Sequence, residues 1–128
     1  MGLLVATLAL AAIQPVTEPP AENEIVVVGN KLREWRGNWR LRKGVVSCKT
    51  KRSTGDKAID AIGCDAMVQC FGPLAPRFAA LEGGKLPKDE LRRQTDALLQ
   101  EAAIGVCLTA KREAGIAALV AARRSNRI

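Results

Sequence analysis

A chain of 128 residues, 48% of them apolar, is the size of one domain. Twenty Lys and Arg stand against thirteen Asp and Glu, giving a formal charge of +7, and histidine is absent. Without an imidazole base, Ser-His-Asp and Cys-His chemistry is excluded, and metal binding would rest on four scattered thiolates lacking any CxxC spacing.

The N-terminus opens on Leu3–Ile13, an apolar run interrupted only by Thr7 and followed by Gln14-Pro15. It is too short to span a bilayer, which takes ~20 residues, but it has the apolar centre of a secretory signal. Ala9-Leu10-Ala11 supplies a small-x-small cleavage pattern, so residues 1–13 are expected to be a signal segment removed near Ala12. No Lys or Arg precedes the run, which departs from the usual signal layout. Residues 14–23, with three prolines and no base, read as an acidic lead-in to the folded domain. Glu24-Ile25-Val26-Val27-Val28-Gly29-Asn30 is a β-branched run closed by a turn pair and predicts a strand.

From Lys31 to Arg52 there are nine Lys or Arg and one acid, Glu34. A turn at Lys43-Gly44 would make this stretch a hairpin, placing Trp39, Leu41, Val46, Cys48 and Thr50 on one face. Arg40, Arg42, Ser47, Lys49 and Lys51 would then share the wet face. At Ser53-Thr54-Gly55-Asp56 the apolar period changes from two to 3.6, with Ser53 and Asp56 at capping-box spacing. Ile59, Ile62, Ala66, Met67 and Cys70 line one face of a helix expected to stop near Gly72-Pro73. A short helix over 76–82 should end at Gly83-Gly84, and Pro87 fits the next helix start. Leu91, Leu98, Ala102 and Val106 suggest one apolar stripe running on toward Ala122, broken or not at Gly105 or Gly115. The reading is one α+β domain over 24–124 with a short tail, 125–128. It has a small antiparallel sheet followed by three or four helices.

Four cysteines in an exported chain read as two disulfides. Only Trp35, Trp39, Phe71 and Phe78 are aromatic, and alanine makes up much of the apolar content, so cross-links would matter to stability. Cys64 and Cys70 lie six positions apart on one helix, about 9 Å of rise, too far to pair with each other. If that helix returns beside the strand, Cys48 stands level with Cys64. This favours Cys48–Cys64 with Cys70–Cys107 over Cys48–Cys70 with Cys64–Cys107.

No catalytic group and no cofactor are expected. Asp56 and Asp60, one helical turn apart, could do paired-carboxylate chemistry, but such a pair at a helix start is more commonly solvent-facing. The main functional hint is basic: Trp35, Arg36, Trp39, Arg40, Arg42 and Lys43, continued by Lys49 and Lys51. Guanidinium and ammonium groups attract phosphate and sulfate, and Trp sits well at membrane interfaces or on sugars. The expected partners are anionic lipid, lipopolysaccharide or acidic glycan, with no specific nucleic acid. The competing expectation is that Trp39 is core, Trp35 a partly buried neighbour, and the charges a solvated sheet face.

Glu24-Ile25-Val26-Val27-Val28-Gly29 resembles the TonB box of TonB-dependent transporters, with Val28 where that family usually has Thr. The resemblance implies that Ile25, Val26, Val27 and Val28 pair as an added strand with an envelope protein. Nothing after residue 30 could build that family's barrel, and an edge strand of the local sheet accounts for the same residues. The E-I-V-V segment, Cys48, Ser53-Thr54-Gly55-Asp56, Cys64 and Cys70 together resemble small exported four-cysteine proteins of Gram-negative bacteria. That likeness covers about residues 24–70. It implies export and disulfides and carries no assigned activity.

Overall fold

A computed structural model describes Gly2 and residues 21–127. The segment Leu3–Ile13 and most of the acidic lead-in lie outside the described residues. The order is α1 (Ala21–Leu32), β1 (Arg36–Arg42), β2 (Val45–Arg52) and α2 (Lys57–Phe71). A 3-10 turn (Gly72–Leu74), α3 (Ala75–Gly83), α4 (Lys88–Glu101) and α5 (Ile104–Ser125) follow. The fold is α+β: a two-stranded antiparallel sheet followed by four helices, cross-linked by two disulfides.

The stretch 24–30 is helical, not a strand, and α1 takes in residues 21–23 of the expected lead-in. β-branched residues favour strands only weakly, and tertiary packing overrides that preference. Val28 and Leu32, four apart on α1, are buried in one cluster with Ile116 and Val120 of α5 and Ile59 and Ile62 of α2. Glu22 and Glu24 occupy the first turn and Lys31 the last, as the helix dipole favours. Glu24 is also held by Arg127 at 2.8 Å and Arg124 at 3.5 Å.

The hairpin forms in the expected register. Trp39 lies opposite Cys48, Leu41 opposite Val46 and Arg42 opposite Val45. Lys43 (φ 51°) and Gly44 (φ 75°) make the two-residue loop, both left-handed, the geometry that matches the twist of paired strands. The inner face carries Gly37, Trp39 and Leu41 from β1 and Val46, Cys48 and Thr50 from β2, and it packs on α2.

Two apolar clusters meet along α2. One holds Val28, Leu32, Trp35, Ile59, Ile62, Ile116 and Val120, and the other Val46, Phe71, Ala75, Phe78 and Leu98; Met67 touches both. Trp39 stacks on Phe71 and tilts against Phe78, with centroids 4.8 and 4.7 Å apart. Trp35, expected to be a partly buried neighbour, is only 3% exposed. Its indole is clasped between Gly37 on the sheet and Gly63 on α2, and Nε1 donates to Thr50 Oγ1 at 3.0 Å.

Cys48 pairs with Cys64 and Cys70 with Cys107, with Cα separations of 5.4 and 5.9 Å. The first bridge ties the hairpin to α2, and the second ties the end of α2 to the start of α5. Ser53 does not cap α2. Asp56 does, accepting from the Ala58 and Ile59 amides at 3.0 and 3.4 Å. The shorter Asp side chain at position 56 suits the cap itself rather than the reach back that a capping box needs.

The expected stripe Leu91–Val106 does not hold as one surface. Ala103 (φ 50°) takes the left-handed conformation, ends α4 and resets the helical phase, so Leu98 is buried while Val106 is 72% exposed. The break therefore falls before Gly105, and Gly115 lies inside α5. Gly115 is a contact point: a Cβ there would sit 2.8 Å from Ile62 Cγ2. Among the described residues, no helix is long and apolar enough to cross a membrane.

Candidate functional site

Alternation in the hairpin sends every second side chain outward, and the outward set is basic. Arg36, Arg40 and Arg42 from β1 and Lys49 and Lys51 from β2 are all exposed, with Lys43 at the turn and Arg52 at the far end. Between Arg36 and Arg52 there are seven Lys or Arg and no acid. Seven is also the formal charge of the whole chain, so the other residues balance at thirteen of each sign. The net positive charge of the protein is thus the charge of one hairpin.

The register staggers these cations. Arg40 faces Ser47, Lys49 faces Asn38 and Arg42 faces Val45, so these like charges avoid directly opposed positions; the exception is Arg36 opposite Arg52, beyond an irregularity at Arg36/Gly37. Along a strand, outward residues repeat every ~7 Å, and diagonal neighbours across the pair lie ~7–8 Å apart. Arg42, Arg40, Lys49 and Lys51 therefore form a stripe along the hairpin, each about 7–8 Å from the next. Among the described residues none of these four, nor Lys43 or Arg52, makes an ion pair. Arg36 differs: its Nη1 donates to the Arg33 and Trp35 carbonyls at 2.7 and 2.8 Å, which closes the chain after α1.

The tryptophans do not join this face. Trp39 points inward into the Phe71–Phe78 stack, and Trp35 lies beneath the sheet. Two residues missed by sequence reasoning belong to the outward surface. Arg52 ends it, and Val45, 65% exposed, stands beside Arg42 at the hairpin tip. The signal for Val45 was present: with Val46 directed into the core, strand alternation forces its neighbour out.

Ile25, Val26, Val27 and Val28 lie together on α1, with Val28 buried and Val26 and Val27 each 58% exposed. Offering them as an added strand would unwind α1 and remove Val28 from its cluster. Shallow grooves flank this helix. One is lined by Val26, Asn30, Arg33, Thr109, Arg112 and Ile116. The Arg112 guanidinium carbon sits 5.9 Å from the centroid of the Trp35 ring, a cation–π contact, while its Nε is buried without a hydrogen-bond partner.

Asp56 and Asp60 are both engaged structurally. Asp56 receives the Arg123 guanidinium at 2.6 Å besides the two amides it caps, tying the end of α5 to the start of α2. Asp60 accepts from the Ser53 hydroxyl and, at 2.8 Å each, from the Thr54 amide and hydroxyl. The Arg123 hydrogen bond holds the Asp56 carboxyl below the ordinary aspartate pKa, and the Ser53 hydrogen bond does the same for Asp60. With folded values lowered, the stability these groups contribute is complete above about pH 4. It is lost as pH falls through the ordinary value and then the lowered ones. Urea unfolding should therefore give a free energy that falls with acid below about pH 4, and more shallowly in an Asp56→Asn/Asp60→Asn double variant. The same acid slope in that variant would place the sensitivity elsewhere.

Neither carboxylate lines the groove beside α1. Among the described residues, no group of three or more His, Cys, Asp or Glu could hold a metal ion. The chain matches no family model, no curated protein and no solved structure.

Proposed function

We propose that this is an exported, non-catalytic protein that binds anionic components of the cell envelope through the outer face of its hairpin. The observation that carries the reading is that Arg36–Arg52 holds a charge equal to the chain's net +7, on side chains that, Arg36 apart, make no ion pair among the described residues. A merely solubilising charge would be served as well by cations spread over the surface. Gathered on one face, they attract phosphate and sulfate groups arrayed on a lipid surface, a lipopolysaccharide or an acidic glycan. Export is supported by the two disulfides, which persist in oxidising compartments, and by the apolar segment Leu3–Ile13. The inward tryptophans leave no ring on the face to stack on bases, so nothing favours a nucleic-acid reader.

Each cation near an anionic surface contributes about 1 kcal/mol. Replacing Arg40, Arg42, Lys49 and Lys51 together with Gln should weaken binding to phosphatidylglycerol vesicles, lipopolysaccharide or a sulfated glycan by at least ~tenfold. Binding by the parent protein should also fade as added salt shortens the screening length to ~3 Å near 1 M. Co-sedimentation at low and high ionic strength measures both effects. Absence of binding to all three at low ionic strength, or an unaffected quadruple variant, overturns the proposal.

A further inference from the structure

The end of the hairpin differs from the rest of its basic face. The two-residue loop Lys43-Gly44 brings Arg42 and Val45 directly opposite each other, and both side chains point outward. Val45 is 65% exposed, while the next residue, Val46, is 5% exposed in the core beneath it. An isopropyl group thus projects at the tip, beside the guanidinium of Arg42 and the ammonium of Lys43. No acid lies within the hairpin to neutralise them. This valine belongs to neither apolar cluster, so most of its surface stays in water in the free protein.

We propose that the hairpin tip docks the protein on an anionic lipid bilayer, with Val45 entering among the headgroups while Arg42 and Lys43 bind their phosphates. The inference rests on the anion-binding reading and narrows it to one partner. Charge complementarity brings the tip to the surface, and the aliphatic side chain selects a bilayer over a dissolved polyanion. A bilayer alone offers an apolar layer just beneath its phosphates. A glycan would more naturally meet an aromatic platform, and both tryptophans are committed to the core. Strong immersion is not needed: an aliphatic tip and several cations act together, as two weak signals do in other membrane-anchored proteins.

The test separates the two layers of the reading. Full-length oxidised protein is titrated with phosphatidylglycerol-containing vesicles and, separately, with inorganic polyphosphate. Val45→Ser should weaken vesicle binding about three- to tenfold, the partial loss of one aliphatic side chain, and leave polyphosphate binding unchanged. Val45→Trp, at an exposed site outside both apolar clusters, should bind vesicles more tightly, with its fluorescence quenched by brominated acyl chains. Trp35, buried, and Trp39, half-buried on the inner face against Phe71 and Phe78, should escape that quenching. If vesicles bind but Val45→Ser is neutral and the new Trp is unquenched, the tip is not inserted and only the broader anion-binding proposal stands. Binding to polyphosphate without binding to vesicles likewise overturns the docking inference. If neither probe binds at low ionic strength, both proposals fall.

Discussion

Reducing both disulfides is expected to unfold this protein at room temperature. The bridges span 16 and 37 residues, and loops of those lengths correspond to about 3 and about 4 kcal/mol of denatured-state entropy. The two loops do not overlap in sequence, so each constrains the unfolded chain separately and the losses should nearly add. Their sum, ~7 kcal/mol, lies within the ~5–15 kcal/mol of total stability typical of a domain. The apolar clusters are not built to replace it. They contain four aromatic rings, and Ala66 and Ala75 fill positions where larger side chains would bury more area. Far-UV circular dichroism and urea titration with and without reductant measure the effect. Cys70→Ser/Cys107→Ser should cost at least as much as Cys48→Ser/Cys64→Ser, because its loop is the longer. A reduced chain that still unfolds cooperatively, within ~1 kcal/mol of the oxidised one, would show that packing alone suffices.

The parts of the fold legible in the sequence are those with a short period and a covalent constraint. Trp39, Leu41, Val46 and Cys48 alternate cleanly around Lys43-Gly44, and only one register puts all four inside. That register, with a helix following, places Cys48 level with Cys64 and leaves Cys70 for Cys107. Residues 24–30 were misleading because Ile25, Val26, Val27 and Val28 form a run with no gap, which fits either period. The arbiters were weaker: Glu22 and Glu24 before the run, Lys31 after it, and Val28 with Leu32 four apart. What made α1 a helix is contact with Ile116 and Val120, about ninety residues away in sequence. No local pattern reports such a contact.

The candidate site divides in the same way. Its cations were visible because strand alternation assigns Arg40, Arg42, Lys49 and Lys51 to one side whatever they bind. The role of Trp35 was not visible, because its burial depends on two glycines that mean nothing until the sheet and α2 are brought together. Gly37 and Gly63 are the glycines among the described residues where a Cβ would meet that ring, and they come from different elements. A tryptophan within a basic stretch reads as surface until both are seen to face it.

That arrangement gives the second large effect, at Gly63. A methyl group there would lie 2.5 Å from Trp35 Cδ2, well inside contact distance. The indole has little room to retreat: the Gly37 backbone lies so close to its six-membered ring that a Cβ there would fall 2.3 Å from it. Its Nε1 is held by Thr50 at 3.0 Å. Gly63→Ala should therefore destabilise the protein by about 1–3 kcal/mol, the usual range for overpacking, despite the ~1 kcal/mol by which alanine favours a helix interior over glycine. Trp35→Ala alone should cost about 3–5 kcal/mol. Combining the two distinguishes the causes. With the indole gone, the methyl at position 63 meets no ring, and only the helix preference remains. Gly63→Ala should then stabilise the Trp35→Ala protein by up to ~1 kcal/mol, reversing its sign. Urea unfolding of the four oxidised proteins closes the cycle. A cost of the same sign in both backgrounds would mean that Gly63 is required by the backbone of α2 rather than by the ring lying on it.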